Sequence, residues 1–143
     1  MNVIERSEVL GRDIGPMERL QQKFIALLSQ AQAADDTTLP GRWNALFEHA
    51  QKQFRREGEW MRKARHAQLE QHALQHRAVL HVMQEGLVKA RSGKLPVVRD
   101  MVNELVAWYS KHRQTLDAAL ALQLQRSPPR PQRSRPTISN ERP

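Results

Sequence analysis

Five side chains in this sequence have the types and spacing of a metal site: Glu57, His72, His76, His112 and Asp117. His72 and His76 stand four residues apart, so on a helix their imidazoles share one face, one turn apart, as binding a common ion requires. Alone that pair says little, because HxxxH arises often by chance and a single inward His is commonly a hydrogen-bonded core residue. The other three strengthen it, since each falls on the apolar face of its own helical stretch. Polar groups converging inside a bundle each cost roughly 1 to 3 kcal/mol when uncompensated, and one ion would satisfy all five together. The chain has no Cys and six His. That excludes a disulfide scaffold, a thiolate zinc site and a thiol nucleophile, and leaves imidazole and carboxylate as donors.

The elements that must position these residues are helices. Ala, Leu, Gln, Arg and Glu are abundant and lose little side-chain entropy in a helix, while Gly is scarce and aromatics are few. Breakers divide the chain into four amphipathic stretches. The first starts at Gly15-Pro16 and runs through Met17, Leu20, Phe24, Leu27, Leu28 and Ala31 to a turn at Asp35-Asp36-Thr37-Thr38. The second follows Leu39-Pro40-Gly41 and places Glu57 in the middle of a face formed by Phe47, Ala50, Phe54, Trp60 and Met61. After a basic connection from Arg62 to His66, the third is expected from about Ala67 to Ser92, ending at Gly93. Its stripe is Leu69, His72, His76, Val79, Leu80, Met83 and Leu87, with Gly86 as a weak point near its end. The fourth opens at Leu95-Pro96 and carries Val97, Met101, Val102, Leu105, Trp108, His112, Leu116 and Leu120 toward Arg126. Four such helices with short loops predict an all-α, antiparallel up-down-up-down four-helix bundle.

At 143 residues the chain suits one domain. Lys plus Arg is 23 and Asp plus Glu is 15, a formal charge of +8. Residues 126–143 hold five Arg and one Glu, hence +4, which leaves +4 for the other 125 residues. The expected organisation is an N-terminal arm over 1–14, the bundle over 15–125 and an Arg/Pro-rich disordered tail over 126–143, whose composition cannot bury enough surface to offset its ordering entropy. Without aromatics for base stacking, the tail reads as solubilising more than as a nucleic-acid or acidic-protein contact. Residues 1–14 contain no apolar targeting segment, and no apolar run approaches membrane-spanning length, so a cytoplasmic location without membrane contact is expected.

Taken together, the candidate ligands and their surroundings resemble the hemerythrins, in particular the single-domain bacterial form. That pattern reads HFxxE on the second helix, Met eleven residues before HxxxH on the third, and WxxxH with an Asp five further on, on the fourth. The corresponding residues here are Gln53, Phe54 and Glu57, then Met61, His72 and His76, then Trp108, His112 and Asp117. The resemblance covers roughly residues 14–122 and implies a four-helix bundle holding iron.

Two departures bear on the chemistry that resemblance implies. Gln53 stands where the pattern has a His, and the first helix has no His, the register candidates there being Met17, Glu18 and Leu20. In the family these two imidazoles hold the second of two irons, while the three His retained here hold the first. Ligand counting then favours a single five-coordinate Fe(II), Mn(II) or Zn(II) with one position open. Two-iron O2 carriage should fail, which leaves O2 or NO sensing, or iron storage, as the expected role and a binding protein in preference to an enzyme. A metal-free bundle acting as a protein or nucleic-acid interaction module is the alternative, and a mononuclear iron enzyme is a third. Gln53, through its amide oxygen, Glu18 and His49 are weaker substitutes for the lost ligands. His66 and His81 read as loop and surface residues, Trp60 and Trp108 as core or pocket wall, and the Arg55-Arg56 and Arg62-Lys63-Arg65 clusters as a charged face able to meet phosphate. Oligomeric state is not encoded in any motif.

Overall fold

The computed structural model describes residues 15–114, which form four α-helices: α1 (Gly15–Ala33), α2 (Leu39–Lys63), α3 (Leu69–Arg91) and α4 (Leu95–His112). Asp117, the N-terminal arm and the tail lie outside the described residues. Each helix packs on its sequence neighbours and α4 closes back on α1. With connections this short, successive helices run antiparallel, and the fold is the all-α four-helix bundle that the breakers predict.

The connections are built from local hydrogen bonds. Between α1 and α2 the Asp35 carboxylate accepts from the Thr38 amide at 2.9 Å and from its hydroxyl at 3.0 Å. Arg99 of α4 donates to the Ala34 carbonyl at 2.9 Å and to Asp36 at 2.6 Å, which ties the fourth helix to that turn. Pro40 and Pro96 occupy the first turns of α2 and α4, where a missing N–H costs nothing. Helix α3 ends with the Lys94 amide donating to the Lys89 carbonyl at 2.9 Å and that of Gly93 to Ala90 at 3.1 Å, with Gly93 at φ +81°. The end of α2 makes the same pair of bonds, His66 to Met61 at 3.0 Å and Arg65 to Arg62 at 3.1 Å, but its left-handed residue is Arg65 at φ 54°.

The core runs from the α1–α2 turn to the middle of the bundle. Trp43 sits in it with its indole N–H donating to the Met83 carbonyl at 2.9 Å. Its ring lies directly against Gly86, where a Cβ would overlap it. Gly86 therefore does not weaken the end of α3. It makes room for the largest side chain in the core, and the helix continues to Arg91.

The apolar faces shift slightly from those read off the sequence. On α1, Met17, Gln21, Phe24 and Leu28 point inward, whereas Leu20 lies at the edge of the bundle and is half-buried. On α4, Val98, Val102, Leu105, Tyr109 and His112 are buried, and Val97 is exposed. Trp60, Met101 and Trp108 flank the core. The corrections are each one residue wide, because a helix stripe is broader than one side chain and packing selects its centre.

Candidate metal centre

Toward the α2–α3 turn the core becomes polar. Gln53 and Glu57 from α2, His72 and His76 from α3 and His112 from α4 are all buried there. One donor atom from each of Glu57, His72, His76 and His112 lies within 4.8 Å of every other. The four sequence candidates that fall among the described residues are thus brought together in one cluster, on three helices. The fifth, Asp117, is outside those residues.

Glu57 is the centre of the cluster. Its Oε1 lies 3.4 Å from His72 Nε2 and 3.2 Å from His76 Nε2. His76 Nε2 is also 3.1 Å from His112 Nε2. On its far side His112 Nδ1 meets Gln75 Oε1 at 3.1 Å. An amide oxygen only accepts, so Nδ1 of His112 carries the hydrogen and Nε2 presents a lone pair inward. Such an outer hydrogen bond fixes ring and tautomer in the way metal-ligating imidazoles require. Aromatic rings hold the other faces, with Phe54 stacked on His76 at 3.8 Å and Trp108 on His112 at 4.4 Å.

The protonation states follow from this packing. Burial resists ionisation of Glu57, but hydrogen bonds from His72, His76 and Gln53 outweigh it and hold the carboxyl well below its ordinary value. Burial pushes His76 down, and burial followed by the neighbouring His76 and His72 pushes His112 down to about 3. At neutral pH the Glu57 carboxylate thus faces the neutral imidazoles of His76 and His112, the state in which these groups donate electron pairs to a cation.

The donor set fits a small divalent ion. Ligand bonds of about 2.0 to 2.2 Å place donor atoms about 3 to 4.2 Å apart across a coordination sphere, so donors that lie up to 4.8 Å apart would draw in on binding by at least about 0.6 Å. Ligation through Nε2 would require His72 and His76, which both donate from that atom to Glu57, to give up the hydrogen there.

The opposite flank of Glu57 has a different chemistry. Gln53 Nε2 donates to Glu57 Oε2 at 2.9 Å and to the Tyr109 hydroxyl at 2.9 Å, which uses both amide hydrogens. Its Oε1 accepts from His49 Nε2 at 3.0 Å, and His49 also donates to the Leu20 carbonyl at 2.9 Å. Tyr109 stacks on Phe24 at 4.1 Å with the rings 5° from parallel. Gln53 therefore turns its nitrogen, and not its oxygen, toward the carboxylate, and His49 is held one side chain farther out. The buried polar side chain of α1 is Gln21, which is none of the three register candidates. Gln21 is buried between Met17 and Phe24 and accepts from Arg113 at 3.2 Å. Of those candidates, Met17 packs against Met61, Glu18 pairs with Arg113 at 3.7 Å, and Leu20 is half-buried at the edge of the bundle.

A cleft of about 220 Å³ between α2 and α3 leads inward past Gly58, Leu69, Ala73 and Leu80 to His72 and His76. A Cβ on Gly58 would meet nothing, so this position keeps the cleft wide. His66 sits in the α2–α3 turn, where its ring accepts from the Gln68 amide, and His81 is exposed beside Glu85. Both match the loop and surface roles expected of them.

Two neighbours of the cluster, Gln75 and Tyr109, were not among the residues singled out from the sequence. Tyr109 carries a signal in principle, since it precedes His112 by three residues and so shares its face.

Comparison with curated proteins shows similarity to a bacteriohemerythrin of Ralstonia nicotianae, 28% identical over 129 residues, 90% of this chain and 94% of the relative. The chain is hemerythrin-like. No family model matches it, and no solved structure does. The hemerythrin-like bundle and its buried Glu/His cluster together fit a metal-binding protein. None of the described helices is long and apolar enough to cross a membrane.

Proposed function

We propose that this hemerythrin-like chain holds a single iron ion on Glu57, His72, His76 and His112, with Asp117 completing the set, and that it binds a diatomic gas for sensing, or stores the ion, without carrying O2. The observation that carries this reading is the orientation of Gln53. Its amide hydrogens are spent on Glu57 and Tyr109 and its oxygen on His49, so this flank of Glu57 is closed by matched hydrogen bonds and stacked rings.

When bound, the ion would supply an exchangeable coordination position for O2 or NO. The remaining work belongs to the protein. His72, His76 and His112 would give nitrogen donors, and the carboxylates would give the negative charge. Gln75 holds the His112 ring in place, and Phe54 and Trp108 restrict rotation of His76 and His112. The cleft beside Gly58, walled by Phe54, Leu69, Ala73 and Leu80 with Arg55 and Arg77 also lining it, would be the path by which small molecules reach the imidazoles.

Elemental analysis of the purified protein, before and after anaerobic loading with Fe(II), tests the reading. The expected content is about one ion per chain, lost in His72→Ala and in His76→Ala. Two ions per chain would overturn the single-ion site. None under either condition would favour the metal-free interaction module.

A further inference from the structure

A second site lies on the opposite side of α2 from the cleft. A cavity of about 340 Å³ between α1 and α2 is lined by Arg19, Lys23, Lys52 and Arg56, with Leu20 and His49 among its walls. Arg19 and Lys23 are four residues apart on α1, and Lys52 and Arg56 are four apart on α2. Each pair is a like-charge i,i+4 neighbour pair, an arrangement that repels within a helix. Here two such pairs line a single hollow, so repulsion between the pairs adds to that within each.

Little in the fold offsets that charge. Among the described residues, no carboxylate lies within ion-pair distance of Arg19, Lys23 or Lys52. Arg56 has only the half-exposed Glu59 at 4.0 Å, and its guanidinium lies over the Trp60 ring. Glu18, the acid beside Arg19 in the chain, is directed to Arg113, the residue that follows α4. By contrast, other basic residues are used structurally, Arg99 on the α1–α2 turn and Arg113 on Glu18 and Gln21.

We propose that this hollow binds a compact, multiply charged oxyanion of the phosphate or pyrophosphate type. Two Lys and two Arg around a concave surface supply point charges and planar forks that suit phosphate oxygens. Apart from the His49 imidazole, no aromatic ring lines the hollow, so it offers no platform for a nucleobase and selects the charged group alone. His49 lines the wall and also donates to Gln53, which donates to Glu57. A bound anion would therefore sit two side chains from the metal-binding carboxylate. The site itself stands independently of the metal reading, since all of its residues lie outside the cluster.

The test is titration of the full-length protein with inorganic pyrophosphate at fixed ionic strength, followed by calorimetry and by the His49 ring-proton signals, assigned with His49→Gln. Saturable binding of one pyrophosphate per chain is expected, with the His49 signals shifting along the same isotherm. Lys23→Gln with Lys52→Gln should weaken it by at least about tenfold. Arg91→Gln with Lys94→Gln, which removes the same charge from an exposed turn elsewhere, should leave it within about twofold. Equal weakening in both double variants would overturn the site in favour of general charge attraction. Saturation with the His49 signals unmoved would place the anion elsewhere and overturn it as well.

Discussion

The two ends of this bundle solve the same packing problem by different means. At the end that holds the α1–α2 and α3–α4 turns, the core is apolar and is specified by shape: Trp43 fills the space that Gly86 leaves, and Leu39, Leu46, Met83 and Val98 are fully buried around it. At the end that holds the α2–α3 turn, the core is specified by hydrogen-bond matching, with Glu57 accepting from His72, His76 and Gln53. The turns repeat the contrast, because the same terminating motif uses Gly93 at the apolar end and Arg65 at the polar end. One end tolerates changes of polarity poorly and the other tolerates changes of volume poorly, for the same reason: each has one kind of complementarity to lose.

Variants at the two ends should separate accordingly. The largest effect is expected for Glu57→Ala, which removes the common acceptor of three buried donors and should cost about 3 to 5 kcal/mol, read as a lower denaturant midpoint, together with loss of bound metal. Gly86→Ala comes next. Helix propensity alone would favour Ala by about 0.5 to 1 kcal/mol, but overlap with Trp43 should outweigh this and destabilise by about 1 to 3 kcal/mol. A stabilised Gly86→Ala protein would show that the apolar end yields and is not shape-specified. Gln53→Leu keeps volume while stripping donors from Glu57 and Tyr109, with an expected cost of about 1 to 3 kcal/mol by chemical denaturation. Arg65→Gly should move the other way, raising stability by about 1 kcal/mol, since only Gly takes φ 54° without strain.

The smallest effect lies at the turn that closes the apolar end. The Thr38 amide, followed by its hydroxyl, lowers the Asp35 carboxyl below its ordinary value. A folded value below the unfolded one contributes stability above the unfolded pKa, and that stability is lost as pH falls through the folded pKa. The melting-temperature gap between the wild type and Asp35→Ala should thus be present at pH 7 and narrow steadily below about pH 4.

Much of this was legible from residue spacing. Pro16, Pro40 and Pro96 and the Asp35–Thr38 and Gly93 breakers mark helix boundaries because their backbone constraints are local. The convergence of Glu57, His72, His76 and His112 was legible too, since polar residues on apolar faces have to meet something. Less legible was the exact centre of each stripe. Leu20 and Gln21 are adjacent on α1, and periodicity assigned the apolar one to the core, yet packing buries the Gln and leaves the Leu at the edge. Hydropathy could not foresee that Arg113 would supply a partner for Gln21 from the far end of the chain.

What the sequence determined by itself is the set of helices, their order and the ligand types available, because these depend on interactions within a few residues. Absence is equally sequence-level: with no His on α1 and Gln at position 53, no arrangement of α1 and α2 can supply imidazoles to that flank of Glu57 from those positions. Only the tertiary structure decided which way Gln53 faces. Its amide presents nitrogen to Glu57 and Tyr109 and oxygen to His49, a choice made by hydrogen-bond partners 4 and 56 residues away along the chain. The same holds for the pairing of basic residues across the α1–α2 hollow, where two charged faces that each look solvated in sequence become one concave surface once the helices pack. Local propensity sets what a segment can be, whereas orientation within a shared interior depends on donors and acceptors that meet only on folding.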